Sequence, residues 1–123
     1  MRHFLIVLVT LFFLSGCDAV FHRYIAISPG VTNVVDLESL IIDFADANGY
    51  ECESFFLPNG DPAFDCGRGG IVEITTDGRG GYSVRVSDQT AFGEPLLYRE
   101  FYLGLNEKLK SEHGASNVEL TSD

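Results

Sequence analysis

Residues 71–87 constrain the fold more than any other stretch of this chain. Val72 and Ile74 alternate with Glu73, and Tyr82, Val84 and Val86 alternate with Arg85, around a centre of Asp77-Gly78-Arg79-Gly80-Gly81. Period-two alternation on both sides of a glycine-rich turn is the signature of a β-hairpin. A three-residue loop of Gly78, Arg79 and Gly80 sets Ile74 opposite Val84 on an apolar face. The same loop sets Glu73 opposite Arg85 on a wet face, an opposite-charge pair that favours the pairing. A slip of one residue would turn the apolar set to water. The register is therefore specified twice over.

Two segments carry the helical period instead. In residues 33–48, Val34, Leu37, Leu40, Ile41 and Phe44 form one stripe. Asn33 is placed to cap it, Asp36 meets the positive end of the helix dipole, and Gly49 supplies the stop. A second helix opens at Glu94-Pro95, with proline at a favoured early position. Leu97, Tyr98, Phe101, Leu105 and Leu109 make its stripe, and His113 and Gly114 suit its end.

The remaining strands are shorter. Arg23-Tyr24-Ile25-Ala26-Ile27 reads as the first, closed by Ser28-Pro29-Gly30. In residues 50–56, Tyr50, Cys52, Ser54 and Phe56 point one way and Glu51 and Glu53 the other. Pro58-Asn59-Gly60-Asp61-Pro62 is a turn cluster, after which Phe64 and Cys66 resume an extended run. If that turn joins neighbouring antiparallel strands, Cys52 faces Cys66. The pair is expected to form a disulfide, a structural staple whose 15-residue loop contributes about 3 kcal/mol by chain-entropy arguments. Residues 117–121 read as a short edge strand or a frayed tail.

The expected class is α+β, a two-layer sandwich with an antiparallel or mixed sheet and two helices on one face. The expected order is β-α-β-β-β-α with an optional final β. In that order the chain resembles a ferredoxin-like plait with an elaborated central hairpin, a likeness of element order that implies no function.

The N-terminus carries a different kind of signal. Arg2 and His3 precede an apolar run over residues 4–14, which ends in Leu14-Ser15-Gly16-Cys17. The run is too short for a membrane span and fits the centre of a signal peptide. With small residues before the cysteine, the segment resembles a bacterial lipobox. That resemblance covers residues 1–17 alone and implies a lipoprotein. Residues 1–16 would be cleaved, and Cys17 would take a diacylglyceryl group and further fatty-acyl chains such as palmitate, enough for stable anchoring. Residues 17–22 would form a lipidated short tether and residues 23–123 a single domain in the periplasm-facing cell envelope. Asp18 resembles the inner-membrane retention signal of enteric bacteria, with the outer membrane as the alternative.

With Arg2 gone, seven basic residues stand against 18 acidic ones, a formal charge of −11. Such a surface repels nucleic acid and anionic headgroups and favours a cationic partner. RNA binding through Arg-Gly repeats is excluded by this acidity and by the small number of repeats. Zinc would need four ligands, and Cys52 and Cys66 have no histidine near them in sequence. Asp61 and Asp65 lack the alternating oxygen-ligand loop of a calcium site. No motif supplies a nucleophile with its base. No catalytic residue, metal or cofactor is therefore assigned.

Two features remain as candidate sites. Gly67-Arg68-Gly69-Gly70 recurs eleven residues on as Gly78-Arg79-Gly80-Gly81, so Arg68 and Arg79 are candidate anion contacts on flexible loops. Val35 and Ile42 on the first helix, and Leu96 and Leu103 on the second, lie off the core stripes. Each pair is seven apart on one helical line, and the four make a candidate partner surface. The leading expectation is a non-enzymatic, lipid-anchored interaction or accessory subunit. Its partners would be the membrane, through the anchor, and an envelope protein or a second copy of the chain, not nucleic acid. The alternatives are an acidic inhibitor or immunity-type lipoprotein that neutralises a cationic periplasmic enzyme or toxin and, third, a small hydrolase.

Overall fold

The computed structural model describes residues 19–90 and 93–121. The signal segment, the lipobox with Cys17, and Asp18 lie outside the described residues. The elements are β1 (Ala19–Ile27), α1 (Val34–Ala47), β2 (Glu53–Phe56), β3 (Pro62–Asp65), β4 (Ile71–Thr76), β5 (Tyr82–Thr90), α2 (Leu96–His113) and β6 (Val118–Thr121). Four strands, one more than the expected order counted, separate the helices, because the turn at residues 58–62 splits a hairpin off before β4. Residues 118–121 form a strand rather than a tail.

The six strands make one antiparallel sheet in the order β2-β3-β4-β5-β1-β6. Its β6-β1-β5-β4 portion, with α1 and α2, has the strand order of a ferredoxin-like plait. The β2–β3 hairpin is an insertion that widens the sheet at one edge. Ile74 lies opposite Val84 and Glu73 opposite Arg85, and the latter pair makes an ion pair at 3.6 Å.

β1 begins four residues earlier than expected. Residues 19–22, read from sequence as tether, are the first rungs of a ladder in which Ala19 pairs with Thr90 and His22 with Ser87. The alternation in β1 is weak at its start. Only the presence of β5 alongside reveals that these residues are strand.

Both helices cover the same face of the sheet. Ile25 and Ile27 of β1, Val72 and Ile74 of β4, and Val84 and Val86 of β5 share one buried cluster with Leu37, Ile41 and Ala45 of α1 and with Phe101, Leu105 and Leu109 of α2. Burial on this scale is the main stabilising contribution, roughly 1.5–3 kcal/mol for each large apolar side chain. Asn33 caps α1 as expected, its Oδ1 accepting from the Asp36 N–H at 2.9 Å. The Tyr98 hydroxyl, buried in α2, donates to the Val86 carbonyl at 2.8 Å. Burial pushes its pKa up, so it stays a donor. The α2 stripe departs from expectation at Leu97, which is exposed, while Tyr102 and Asn106 are buried. Tyr102 is covered by Arg23 of β1, whose guanidinium lies over its ring, a contact that the periodicity of α2 alone does not disclose.

Candidate docking site

β2 is an edge strand, and all four of its residues are exposed. The hairpin it forms with β3 is held at both ends. At the tip the Leu57 N–H donates to the Asp61 carbonyl at 2.9 Å, and Asn59 Oδ1 accepts from the Asp61 N–H at 3.0 Å. At the base Cys52 and Cys66 are joined by a disulfide with Cα atoms 4.0 Å apart. The register that pairs Glu53 with Asp65 sets the two cysteines directly opposite.

Phe56 lies on the helix side of this hairpin, as its alternation with Cys52 and Ser54 predicts, yet it is 76% exposed. The inserted hairpin projects past the cover of α1, so a core-facing position is left without a core. Between hairpin and helix runs an open groove of about 500 Å³, with Glu38, Ile42 and Asp43 on one wall and Phe55, Phe56 and Pro62 on the other. Ser54, Ala63 and Phe64 also line it, its α1 rim carries two carboxylates, and its outer wall is a strand whose edge is unpaired among the described residues. Such an edge can accept an extended peptide through main-chain hydrogen bonds. The signal for this site was in the sequence as the doublet Phe55-Phe56, which places an aromatic on each face of a short strand.

The four aliphatic residues expected to form one partner surface do not come together. Val35 is 65% exposed, Leu96 and Leu103 are exposed, and Ile42 is half-buried against the core. The helices meet through Phe44, whose ring lies 5.5 Å from that of Phe101 and against Gly104. That contact turns the Val35–Ile42 line toward the hairpin. The Leu96–Leu103 line turns the other way, and Leu103 lines a hollow with Arg23, Tyr102 and Leu120. Spacing of seven fixes a line on one helix and says nothing of where a neighbouring helix is placed.

Nor do the two arginines converge. Arg68 lies in a 3-10 turn, Gly67–Gly69, at the end of the sheet where β1 begins. Arg79 tips the β4–β5 loop at the opposite end. A joint grip on one anion is ruled out by that separation.

A polar cluster that sequence reasoning missed ties β1 to α2. The Arg23 guanidinium lies 3.4 Å from Glu94 Oε2 and 5.3 Å from the centre of the Tyr102 ring, and the Tyr102 hydroxyl donates to Glu94 Oε1. Burial, helped by Glu94, raises the Tyr102 pKa. The phenol keeps its proton and donates it to the carboxylate in that hydrogen bond. Arg23 and Glu94 are 71 residues apart, so no local pattern announces the pair.

Asp61 bonds within its own turn to Asn59, and Asp65 accepts from the Gly67 N–H. Among the described residues no three His, Cys, Asp or Glu side chains are grouped to hold a metal, and no helix is long and apolar enough to cross a membrane. Neither protein-family models nor curated proteins match this chain.

Proposed function

We propose that this protein is a lipid-anchored envelope protein that acts as a non-enzymatic interaction subunit and receives a partner polypeptide on the β2–β3 hairpin. The observation that carries the reading is Phe56, an aromatic side chain on the helix side of an edge strand with no core to cover it. Burying a phenylalanine is worth roughly 1.5–3 kcal/mol. A soluble domain leaves such a residue in water at a cost in solubility, and an exposed apolar edge of this kind is a pairing site. Anchorage rests on the lipobox resemblance at Cys17. The Cys17→Ser chain is expected to accumulate as an unprocessed precursor without lipid label, and a mature soluble form cleaved at another residue would sink the anchor.

The docking claim is tested by a photocrosslinker at Phe56 in the membrane-anchored protein. One discrete adduct is expected, and it should vanish in the Ile42→Ser variant, measured at a temperature where that variant is still folded because Ile42 packs partly against the core. Equal crosslinking in Ile42→Ser would count against the groove. The acidic inhibitor is the second reading, favoured by 18 acidic residues and by Glu38 and Asp43 on the groove rim. Salt separates the two. An inhibitor held by charge loses its partner steeply between low and physiological ionic strength, and a partner seated on Phe56 does not.

A further inference from the structure

The strand that leaves the anchor is also the strand that fixes which end of the domain faces the lipid. β1 starts at Ala19, two residues after Cys17. Two residues of extended chain reach at most about 7 Å. Whatever holds Cys17 therefore holds the adjoining end of the sheet at the same depth. At that end Val20 pairs with Gln89, and the 3-10 turn and the start of α2 lie beside the end of β5, around a hollow lined by Gly67, Arg68, Asp88, Gln89, Pro95 and the two leucines that follow.

Three exposed large apolar residues belong to this end: Leu96 is 68%, Val20 52% and Leu97 37% exposed. Val20 points to the open face of the sheet, in register with His22 and Tyr24, while Leu96 and Leu97 are on the helix side. Apolar groups on both sides of one end suit an end-on contact with a layer, not docking of a single face. Arg68 is exposed among them, and its guanidinium matches a phosphate.

We propose that this end of the domain rests in the lipid headgroup layer, with Val20, Leu96 and Leu97 at the acyl boundary and Arg68 on headgroup phosphate. The contact is a second membrane attachment beside the acyl chains, and it orients the β2–β3 groove sideways from the anchor. It rests on the reading that Cys17 is acylated. The chain contains no tryptophan, so single-tryptophan reporters are clean. Leu96→Trp and, as the control, Val35→Trp at the start of α1 on the far end are purified as full-length lipidated protein. Each is reconstituted in phosphatidylcholine vesicles with bromine high on one acyl chain. Leu96→Trp is expected to emit to the blue of Val35→Trp and to lose emission to the bromine, and Val35→Trp to keep it. A Val20→Trp reporter should repeat the result from the other side of the sheet, and Arg68→Glu should weaken quenching at Leu96→Trp. If mass analysis shows Cys17 acylated and all reporters stay unquenched, the lipid contact is wrong and the anchor stands. An unacylated Cys17 removes both.

Discussion

The tetrapeptide Gly-Arg-Gly-Gly occurs twice, and the two copies live in different surroundings. Each copy places three residues in a hairpin loop. The Cys66 N–H donates to the Gly70 carbonyl at 2.9 Å around residues 67–69, and the Asp77 N–H donates to the Gly81 carbonyl at 3.1 Å around residues 78–80. There the likeness ends. In the first copy the left-handed backbone falls at Gly67 and Gly70, in the second at Gly78 and Gly80. A Cβ at Gly69 would lie 2.8 Å from the Phe101 ring, and one at Gly70 2.5 Å from the Ser87 carbonyl oxygen. In the second copy a Cβ at Gly80 would meet nothing closer than Pro29 at 3.9 Å, whereas one at Gly81 would lie 2.5 Å from Asp77 Oδ2 and 2.7 Å from the Ile27 carbonyl oxygen; the last glycine is crowded in both copies, by different neighbours. Four identical residues set the loop length in both places. The conformation within the loop is set by what stands around it: α2 and Tyr50 above the first, an Asp77 side chain that accepts from the Arg79 and Gly81 N–H groups in the second.

The sharpest way to break this comparison is Gly70→Ala. A left-handed φ and a clash with backbone act together there, and a loss of about 4 kcal/mol in unfolding free energy is expected. A loss under about 1 kcal/mol by denaturant titration would show Gly70 to be as free as Gly80. Next is the Cys52→Ala/Cys66→Ala double variant, which removes the staple one residue ahead of the first loop and should cost about 3 kcal/mol. Amide exchange should quicken in residues 53–71 and stay unchanged in residues 77–82. Uniform quickening would mean that the staple stabilises the whole sheet.

Smaller effects sharpen the contrast. Gly80→Ala has space but a left-handed φ, and should cost about 1 kcal/mol, the backbone penalty alone. A cost near that of Gly70→Ala would reveal packing at Gly80. The smallest effect belongs to the arginines. Arg68→Ala and Arg79→Ala should each shift stability by no more than about 0.5 kcal/mol. They should part company only on vesicles, where the first alone should change the Leu96→Trp signal.

Much of the architecture was legible in advance, for reasons that differ by element. The β4–β5 register could be read because both faces of the hairpin gave the same answer, through Ile74 and Val84 on one side and Glu73 and Arg85 on the other. The disulfide could be read because a short turn leaves neighbouring strands few registers. The candidate groove was half legible. The doublet Phe55-Phe56 lies plainly in the chain, but alternation assigned Phe56 to the core side, and a strand has no local means of knowing whether a helix reaches over it. The helix-back patch failed for the related reason that a line on one helix does not locate the next.

What this chain determines by itself is therefore local: the period of each segment, the Asn33 cap, the loop lengths, and the pairing of strands joined by a few residues. These rest on backbone sterics and on side-chain contacts within a turn or a hairpin, and they need no knowledge of the rest of the molecule. Tertiary structure alone decided that β1 pairs with β5 and β6, that Ala19 already belongs to the sheet, and that Arg23 meets Glu94 71 residues away. It also decided what crowds each Gly-Arg-Gly-Gly loop: Phe101, Tyr98 and the Ser87 carbonyl at the first, the Ile27 carbonyl at the second. Those outcomes depend on long-range closure of the chain and on volume excluded by distant side chains such as Phe101 and Tyr98. No window of neighbouring residues contains that information.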